Sequence, residues 1–407
     1  MIECLQKHPL EKVVYLDNNA TTKVAPEVAE FVVHYFLCDY GNSESSHSFG
    51  SNLQYVEKAA KDNIAKLLNG NPNNFYFTSG ATESNNWALK GIMKRSKKKH
   101  LIISQIEHPS VLNVAKELER DGYDVTYLPV TKDGVVTLEN LADAIRDDTA
   151  LVSIMYANNE TGAIMPIHEI GDYLKDKMIV FHTDATQAVG KIPVNIKANH
   201  IDVLSLSGHK FHAPKGIGSL YINPRKRVIG EDMPWRIDIS AYMTGGEQQT
   251  YMRGGTMNTP LIAGMGKAAE LSDDYLNKGI ENVALKRDQL QEFIERNIPD
   301  TIVNAKNALR VPNTLNITIP GAEGESIIDR LSEVGICVSS GSACTSKSLA
   351  IPYVLDAMAI DHSIINSTIR FSLSRYTTNE EIKYVMLKLP EVIGELRRIS
   401  GYTIKNK

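Results

Sequence analysis

Seven short apolar segments, separated by stretches of helical periodicity, fill the middle of this chain and constrain its fold more than any other feature. They are rich in β-branched and aromatic residues and predict strands at residues 75–78, 101–104, 125–130, 151–156, 178–182, 203–206 and 219–222. Strands that alternate with helices form βαβ units, whose right-handed crossovers build a parallel sheet covered on both faces. The sequence therefore predicts an α/β fold around a mostly parallel seven-stranded sheet.

The pattern changes after about Pro260. A long helical stretch over Leu261–Gln291 is followed by isolated strands at 313–319, 336–339 and 368–373. This mixture predicts a second, smaller α+β domain, with part of the long helix bridging the two domains.

Charge and composition exclude several classes of protein. The 407 residues carry 44 Lys and Arg against 48 Asp and Glu, so no broad basic field is present to bind a nucleic acid. We find neither an apolar run of the ~20 residues that cross a bilayer nor the apolar core of a secretory signal. We therefore expect a cytoplasmic protein with no membrane and no direct nucleic-acid partner. The cysteines, Cys4, Cys38, Cys337 and Cys344, lack the spacing of a zinc site, and we expect no resident metal.

Three polar segments follow directly after predicted strands, where open α/β sheets bind their ligands. Residues 79–84 (SGATES) open a helix whose N-terminus suits a phosphate, although ordinary capping explains them equally well. Asp184 can hold a protonated ring nitrogen or cap a helix. Lys210 has small polar neighbours, so it can form a Schiff base or be a solvated loop lysine. Together, in this order on one sheet, the three segments predict a site for pyridoxal 5′-phosphate (PLP).

The chain resembles the cysteine desulfurases of the class V aminotransferase group, the NifS/IscS-like enzymes. The resemblance covers nearly the whole chain and rests on motifs that occur in the family's order: Tyr15–Thr22 (YLDNNATT), Phe77–Asn86 (FTSGATESNN), Glu107–Val111 (EHPSV), Ala157–Gly162 (ANNETG), His182–Lys191 (HTDATQAVGK), Ser207–Tyr221 (SGHKFHAPKGIGSLY), Ser339–Ser346 (SSGSACTS) and Ile369–Thr378 (IRFSLSRYTT).

The resemblance implies the fold type I aminotransferase architecture and a homodimer. A large PLP-binding domain would span residues 16–260, and a small domain would be formed by residues 1–15 and 261–407. The homodimer is implied by Thr256, which matches a residue that reaches the cofactor phosphate of the partner subunit in the family.

The resemblance also assigns roles to individual residues. The cofactor would be bound by Ala81, Thr82, His108, Asp184, Gln187, Ser207, His209, Lys210 and Thr256. Lys210 would form the Schiff base, Asp184 would pair with the pyridine nitrogen, and His108 would stack on the ring and assist proton transfer. Asn159 and Arg370 would bind the substrate carboxylate, a task that suits the guanidinium fork.

Cys344 selects the reaction among the PLP enzymes. Its neighbours are small and polar, which predicts an exposed mobile loop and a reactive thiol, whereas Cys337 in an apolar strand is expected to fill the core. The resemblance implies that Cys344 takes sulfur from L-cysteine as a persulfide, leaving L-alanine, and delivers it to an acceptor such as an iron–sulfur scaffold. In such a complex Cys344 is also a candidate cluster ligand.

The chain departs from the family pattern at Ser43, Ala213, Gly254 and Ser374, without losing a reacting group. Two alternatives to a desulfurase fit these residues less well. A plain aminotransferase has no use for a thiol on a small-residue loop, and a cofactor-free scaffold has no use for Lys210. Selenocysteine lyase activity stays compatible with the same residues, and the sequence does not select the sulfur acceptor.

Overall fold

The computed structural model describes residues 13–226, 234–340 and 352–404. The predicted sulfur-accepting Cys344 and the incidental Cys4 lie outside the described residues. The strands are β1 (Val14–Tyr15), β2 (Phe75–Thr78), β3 (His100–Ser104), β4 (Asp124–Leu128), β5 (Thr149–Ser153), β6 (Val180–Asp184), β7 (Val203–Ser207), β8 (Gly218–Ile222), β9 (Arg225–Lys226), β10 (Trp235–Arg236), β11 (Ile302–Val303), β12 (Thr314–Thr318), β13 (Ile336–Cys337) and β14 (Thr368–Ser372).

The α-helices are α1 (Pro26–Leu37), α2 (Ser48–Ser51), α3 (Gln54–Leu68), α4 (Ala81–Arg95), α5 (Pro109–Arg120), α6 (Leu138–Ala144), α7 (Ile167–Leu174), α8 (Thr259–Lys278), α9 (Ile280–Asn297), α10 (Gly324–Glu333), α11 (Tyr353–Ala357) and α12 (Asn379–Ser400). None of these described helices combines the length and the hydrophobicity that a membrane-spanning helix needs.

The central sheet has seven strands in the order β2-β8-β7-β6-β5-β3-β4. Among its described strands only β8 runs antiparallel to its neighbours, β2 and β7, so the prediction of a mostly parallel seven-stranded sheet is confirmed. The pleat sends alternate side chains to opposite faces: Ile102 and Val152 pack in one apolar core, and Leu101 and Leu151 pack in the other. Burial on both faces explains why these strands are apolar throughout.

A separate apolar core surrounds the antiparallel sheet β11-β12-β14, against which α9, α10 and α12 pack. Strand β1 joins this part of the molecule because it pairs in parallel with β13, Val14 opposite Ile336. Helix α8 contributes Ile262 and Met265 to the core of the large sheet, while Tyr275 near its end packs against the second core. The domain boundary near residue 260 stays a prediction.

One local expectation is wrong. The long helix expected over 261–291 is two helices, α8 and α9, which meet at Gly279. The N–H of Gly279 still bonds to the Tyr275 carbonyl, but its backbone leaves the helical conformation (φ −139°). A glycine ends a helix readily because its unfolded chain has the most freedom to lose.

Candidate active site

A cavity of about 450 Å³ opens at the carboxyl ends of the parallel strands and gathers most of the predicted site residues. The predicted residues that line it are Ala81, Thr82, His108, Asn159, Asp184, Gln187, Ser207, His209, Lys210 and Arg370. Thr256 is exposed and does not line the cavity. The sheet topology therefore brings together side chains that are far apart in the sequence.

The loop between β2 and α4 forms one wall of the cavity. Helix α4 begins after Gly80, and no side chain within the described parts of the chain caps it, so its first backbone N–H groups are available for an anion. The loop sits on β8 through close backbone contact, since a Cβ added to Gly218 would lie 2.6 Å from the Gly80 Cα. Glu83 accepts a 2.7 Å bond from the Ser79 N–H and pairs with Arg253, which ties a later loop to this wall.

Asp184 is the last residue of β6 and is buried. Its Oδ1 accepts from the Thr186 backbone N–H at 3.0 Å, and its Oδ2 accepts from the Asn85 side-chain amide at 2.7 Å. Two donors thus fix the carboxylate at the edge of the cavity. An ionised carboxylate in this position can stabilise a protonated ring nitrogen.

Lys210 follows β7 in a short 3₁₀ turn and projects into the same cavity. Its Nζ donates to the backbone carbonyls of Asn19 at 2.6 Å and Ala20 at 2.8 Å. Asn19 also contacts a second amine, because Lys191 Nζ donates to its Oδ1 at 2.9 Å and to the Gln187 side-chain oxygen. Burial lowers the pKa of Lys191 well below its ordinary value, and the charges of Lys210 and Arg370 lower it further.

The two histidines of the site are held neutral at neutral pH. Burial lowers the pKa of His108, Lys210 lowers it further, and Asp184 partly opposes both effects. Burial and the charge of Lys210 lower the pKa of His209 to about 4. Each neutral imidazole has one N–H donor and one acceptor nitrogen, and one ring nitrogen is already bonded within the protein, since Nδ1 of His108 contacts Ser110 and Nδ1 of His209 contacts Thr21.

Arg370 comes from β14 and brings a buried cation to the other end of the cavity. Its guanidinium donates to the Asn159 carbonyl and to Asp17 Oδ1, both at 2.8 Å. The Asn159 side-chain oxygen is buried and has no hydrogen-bond partner among the described residues. Burial raises the pKa of Glu160 to about 7, against the opposing charge of Arg370. This end of the cavity suits a small ligand with a carboxylate.

The departures from the family pattern are accommodated locally. Gly254 fits a tight crossing, because a Cβ there would lie 2.8 Å from the Gly245 Cα. Ala213 is buried and its N–H bonds to the Gly208 carbonyl at 3.1 Å. The Ser43 carbonyl accepts from Gln54, and the Ser374 hydroxyl accepts from the Tyr376 N–H.

These residues fit the chemical requirements of PLP. The cavity supplies an uncapped helix start for a phosphate, a fixed carboxylate for a ring nitrogen and an amine for an aldehyde. At its margin the buried Thr186 hydroxyl, like the Asn159 amide oxygen, lacks a partner within the described parts of the chain, which leaves polar atoms for a ligand.

Residues 14–385 match the family model described as Aminotransferase class-V. The chain belongs to the class-V aminotransferase family. It is 45% identical over 391 residues to a protein of Trichormus azollae named cysteine desulfurase, with 96% of this chain and 95% of the relative covered. The structure of a NifS-like protein matches this class-V fold with a TM-score of 0.85 and 35% identity, covering 94% of this chain and all of that one. These findings confirm the predicted family and fold, and PLP is the cofactor of this class-V chain.

A second solved structure, titled SspA in complex with cysteine, is similar to this class-V chain. It shares 33% identity at a TM-score of 0.76, and the match covers 89% of this chain and 99% of the other.

Three residues of this class-V site were not singled out from the sequence. Asn19, Asn85 and Lys191 all bond to predicted site residues, and all three lie inside motifs that carried the resemblance. In the sequence these residues stand out only as polar side chains next to apolar strands, and that pattern is equally typical of solvent-exposed N-termini of helices. The roles of the individual site residues stay predictions.

Proposed function

We propose that this chain is a PLP-dependent cysteine desulfurase that converts L-cysteine to L-alanine and transfers the sulfur to Cys344 as a persulfide. The supporting observation is the full-length similarity to a cysteine desulfurase, together with a lysine, a carboxylate and an arginine in one cavity. The ligand of the similar SspA structure, cysteine, has the carboxylate that Arg370 would bind.

The overall reaction is balanced by the two thiols alone. L-Cysteine and the Cys344 thiol give L-alanine and a Cys344 persulfide. The substrate Cβ–S bond breaks, an S–S bond forms to Cys344, and the hydrogen lost from the Cys344 thiol balances the hydrogen gained by Cβ. Bound PLP supplies the electron sink that makes the substrate Cα proton acidic. The Cys344 thiolate attacks the substrate sulfur, which requires a deprotonated and still nucleophilic thiol.

Lys210 is the proposed base for the substrate Cα proton. Its amine lies at the carbonyls of Asn19 and Ala20, which accept its hydrogen bonds and hold it at a fixed place in the cavity. A positioned amine of this kind contributes by proximity as well as by basicity. His108, kept neutral by burial, assists proton transfer from the same cavity.

Arg370 and Asn159 are the proposed substrate-binding residues. Asp17 takes one guanidinium nitrogen and the Asn159 carbonyl takes another, so the fork cannot rotate freely. A fixed fork binds a carboxylate with directional charge-assisted bonds, which orients the substrate Cα toward Lys210.

The proposal includes a homodimer in the cytoplasm that passes sulfur to a protein acceptor such as an iron–sulfur scaffold. Helix α1 exposes the large apolar side chains Phe31, Val33, Phe36 and Leu37, a grouping typical of an interaction surface. Thr256 is exposed and belongs to the loop that Arg253 ties to Glu83. That location is compatible with a contact to the cofactor phosphate of a partner subunit.

The decisive experiment is Cys344→Ala in the PLP-loaded protein, with Cys38→Ala as the matched control. Alanine formed from L-cysteine is measured by mass spectrometry, and persulfide sulfur is mapped to peptides. We expect Cys344→Ala to keep the cofactor absorbance and to lose alanine formation by about 100-fold or more, the scale of removing a nucleophile. Cys38→Ala should behave as the unchanged enzyme. Sustained alanine formation by Cys344→Ala would contradict the persulfide route.

A further inference from the structure

A continuous chain of hydrogen bonds runs along the wall of the cavity from His108 to Asp184. The His108 Nδ1 lies 2.8 Å from the Ser110 Oγ, and the Asn85 Nδ2 lies 2.8 Å from that same oxygen. The Asn85 Nδ2 also lies 2.7 Å from Asp184 Oδ2. Asn85 is completely buried, and Ser110 is 9% exposed. The chain therefore connects helix α4, helix α5 and strand β6 inside the protein.

The direction of each bond follows from the groups that can donate. An ionised carboxylate only accepts, so Asn85 must present its amide nitrogen to Asp184, and its second N–H then reaches Ser110. Since the Ser110 oxygen accepts from Asn85, its own hydrogen is free to go to His108 Nδ1. The Ser110 backbone N–H points to the same Nδ1 at 3.2 Å, because His108 caps helix α5. Both donors require Nδ1 to be the unprotonated nitrogen.

We propose that Asn85 and Ser110 are positioning residues that fix the tautomer of His108, so that Nε2 carries the ring proton and is the nitrogen that exchanges it during the reaction. The inference rests on the proposed function for the use of that proton. The same amide of Asn85 holds Asp184, so one buried side chain sets both the carboxylate at the ring nitrogen and the histidine beside it.

The electrostatic surroundings of His108 favour a neutral ring, for which the tautomer matters. Asp184 on β6 and Lys210 after β7 are the charged groups that act on it, with opposite signs, and burial dominates both. A neutral imidazole has a single N–H, and its position is set by what the other nitrogen accepts. Without the relay from Asn85, the Ser110 hydroxyl could turn around and accept instead.

The test measures the tautomer directly in the PLP-loaded enzyme labelled with ¹⁵N-histidine. Long-range proton–nitrogen correlations distinguish a protonated Nε2 from a protonated Nδ1, and His108→Gln identifies the signals. Ser110→Ala removes the hydroxyl, Ser110→Thr keeps it, and Asn85→Asp replaces the amide donor by an acceptor of the same shape. Ser219→Ala is the matched control, because it removes another buried hydroxyl, one that bonds to the Tyr76 carbonyl.

We expect His108 to carry its proton on Nε2 in the unchanged enzyme, in Ser110→Thr and in Ser219→Ala. Loss of one ordinary hydrogen bond should raise the ratio of Nδ1-protonated to Nε2-protonated ring about fivefold in Ser110→Ala. In Asn85→Asp the new carboxyl group takes up a proton that it shares with Asp184, since two carboxylates this close cannot both be ionised. Its other oxygen then accepts from the Ser110 hydroxyl, which turns a lone pair toward Nδ1, so this variant should favour the Nδ1-protonated ring further.

A proton on Nδ1 in the unchanged enzyme would overturn the inference, and so would a tautomer ratio that Ser110→Ala leaves as it was. If Asn85→Asp fails to fold, the Ser110 pair alone decides. The nitrogen signals need no turnover, so the two proposals fail separately. If the enzyme forms alanine and Ser110→Ala leaves the tautomer ratio of His108 unchanged, only the positioning role of Asn85 and Ser110 is refuted. If no alanine forms, only the proposed desulfurase activity is refuted.

Discussion

The two largest sheets among the described residues contribute side chains to the cavity in different ways. The parallel sheet delivers Asp184 at the end of β6 and Lys210 just after β7, because parallel strands end at the same edge. Arg370 comes from the middle of β14 in the antiparallel sheet. Neighbouring strands there run in opposite directions, so their carboxyl ends do not lie together at one edge. Arg370 is held instead by Asp17 and the Asn159 carbonyl. Topology places the first pair, and specific side-chain contacts place the third group.

The largest effect should come from the parallel sheet. Lys210→Ala removes the amine that the fold places in the cavity, and alanine formation from L-cysteine should fall about 1,000-fold or more. Turnover is measured with excess PLP, and Lys58→Ala, which removes an exposed lysine, serves as the control. If Lys210→Ala keeps about a tenth of the activity or more, Lys210 is not the base that removes the Cα proton.

The antiparallel sheet should show a different kinetic signature. Arg370→Lys keeps the charge but loses the planar fork, whose separate nitrogens bond to Asp17 and to the Asn159 carbonyl and can still bind a carboxylate side-on. We expect KM for L-cysteine to rise about 30-fold, the scale of losing a charge-assisted bond, with a smaller change in kcat. Arg330→Lys on the surface should leave both constants unchanged. A fall in kcat at constant KM would show that Arg370 does not bind the substrate.

Two buried glutamates, one beside each sheet, allow the pH dependence of the free energy of unfolding to be compared between the two regions. Burial raises the pKa of Glu107, at the parallel sheet, to about 8, and that of Glu160, beside Arg370, to about 7, from 4.5. A raised carboxyl pKa stabilises the fold below the unfolded pKa, and this contribution is lost as pH rises through the folded pKa. Relative to each glutamine variant, the wild type should therefore lose stability from about pH 4.5 upward.

The measurement is the free energy of unfolding in urea from pH 5 to 9, as a difference between wild type and Glu107→Gln or Glu160→Gln. The decline should end near pH 7 for Glu160 and about one pH unit later for Glu107. At a cost of roughly 1.4 kcal/mol per pKa unit, the loss for Glu160 is about 3 kcal/mol, and that for Glu107 is larger. A difference in the free energy of unfolding that stays constant from pH 5 to 9 would contradict the raised pKa of that glutamate.

The smallest effect concerns helix α11, which packs in the core of the large sheet. Tyr353 on α11 donates to the Glu107 carbonyl at 2.8 Å, and Ala359, just beyond the helix, has φ +57°. Ala359→Gly should stabilise the protein by about 1 kcal/mol because glycine accepts this backbone conformation without strain. Ala357→Gly, still within α11, is the opposite control and should cost up to about 1 kcal/mol. Destabilisation by both variants would refute the argument.

Much of the fold could be predicted because its signals are local. Each strand of the large sheet is a run of apolar residues, and Asp184 and Lys210 each follow one of those runs directly. The break of the long helix at Gly279 was missed, since an isolated glycine is tolerated inside many helices.

The rest of the site depends on contacts that no local pattern contains. Asn85 meets Asp184 across 99 positions of the sequence, and Lys191 meets Asn19 across 172. Both residues lie beyond the strand ends, where a polar side chain is most simply explained as solvated. Only the packing of the helices against the sheet shows that they are buried.

The contact between Gly80 and Gly218 limits how this protein can diverge. At 2.6 Å from the Gly80 Cα, even a methyl group at position 218 has no room, and the start of α4 would be displaced bodily from the sheet. Because this contact joins two backbone segments, no change of side-chain rotamer can relieve a clash there, and the distance between the segments cannot be adjusted in small steps. Substitutions in the walls of the cavity leave this backbone contact in place, whereas any side chain at position 218 would force the two backbone segments apart.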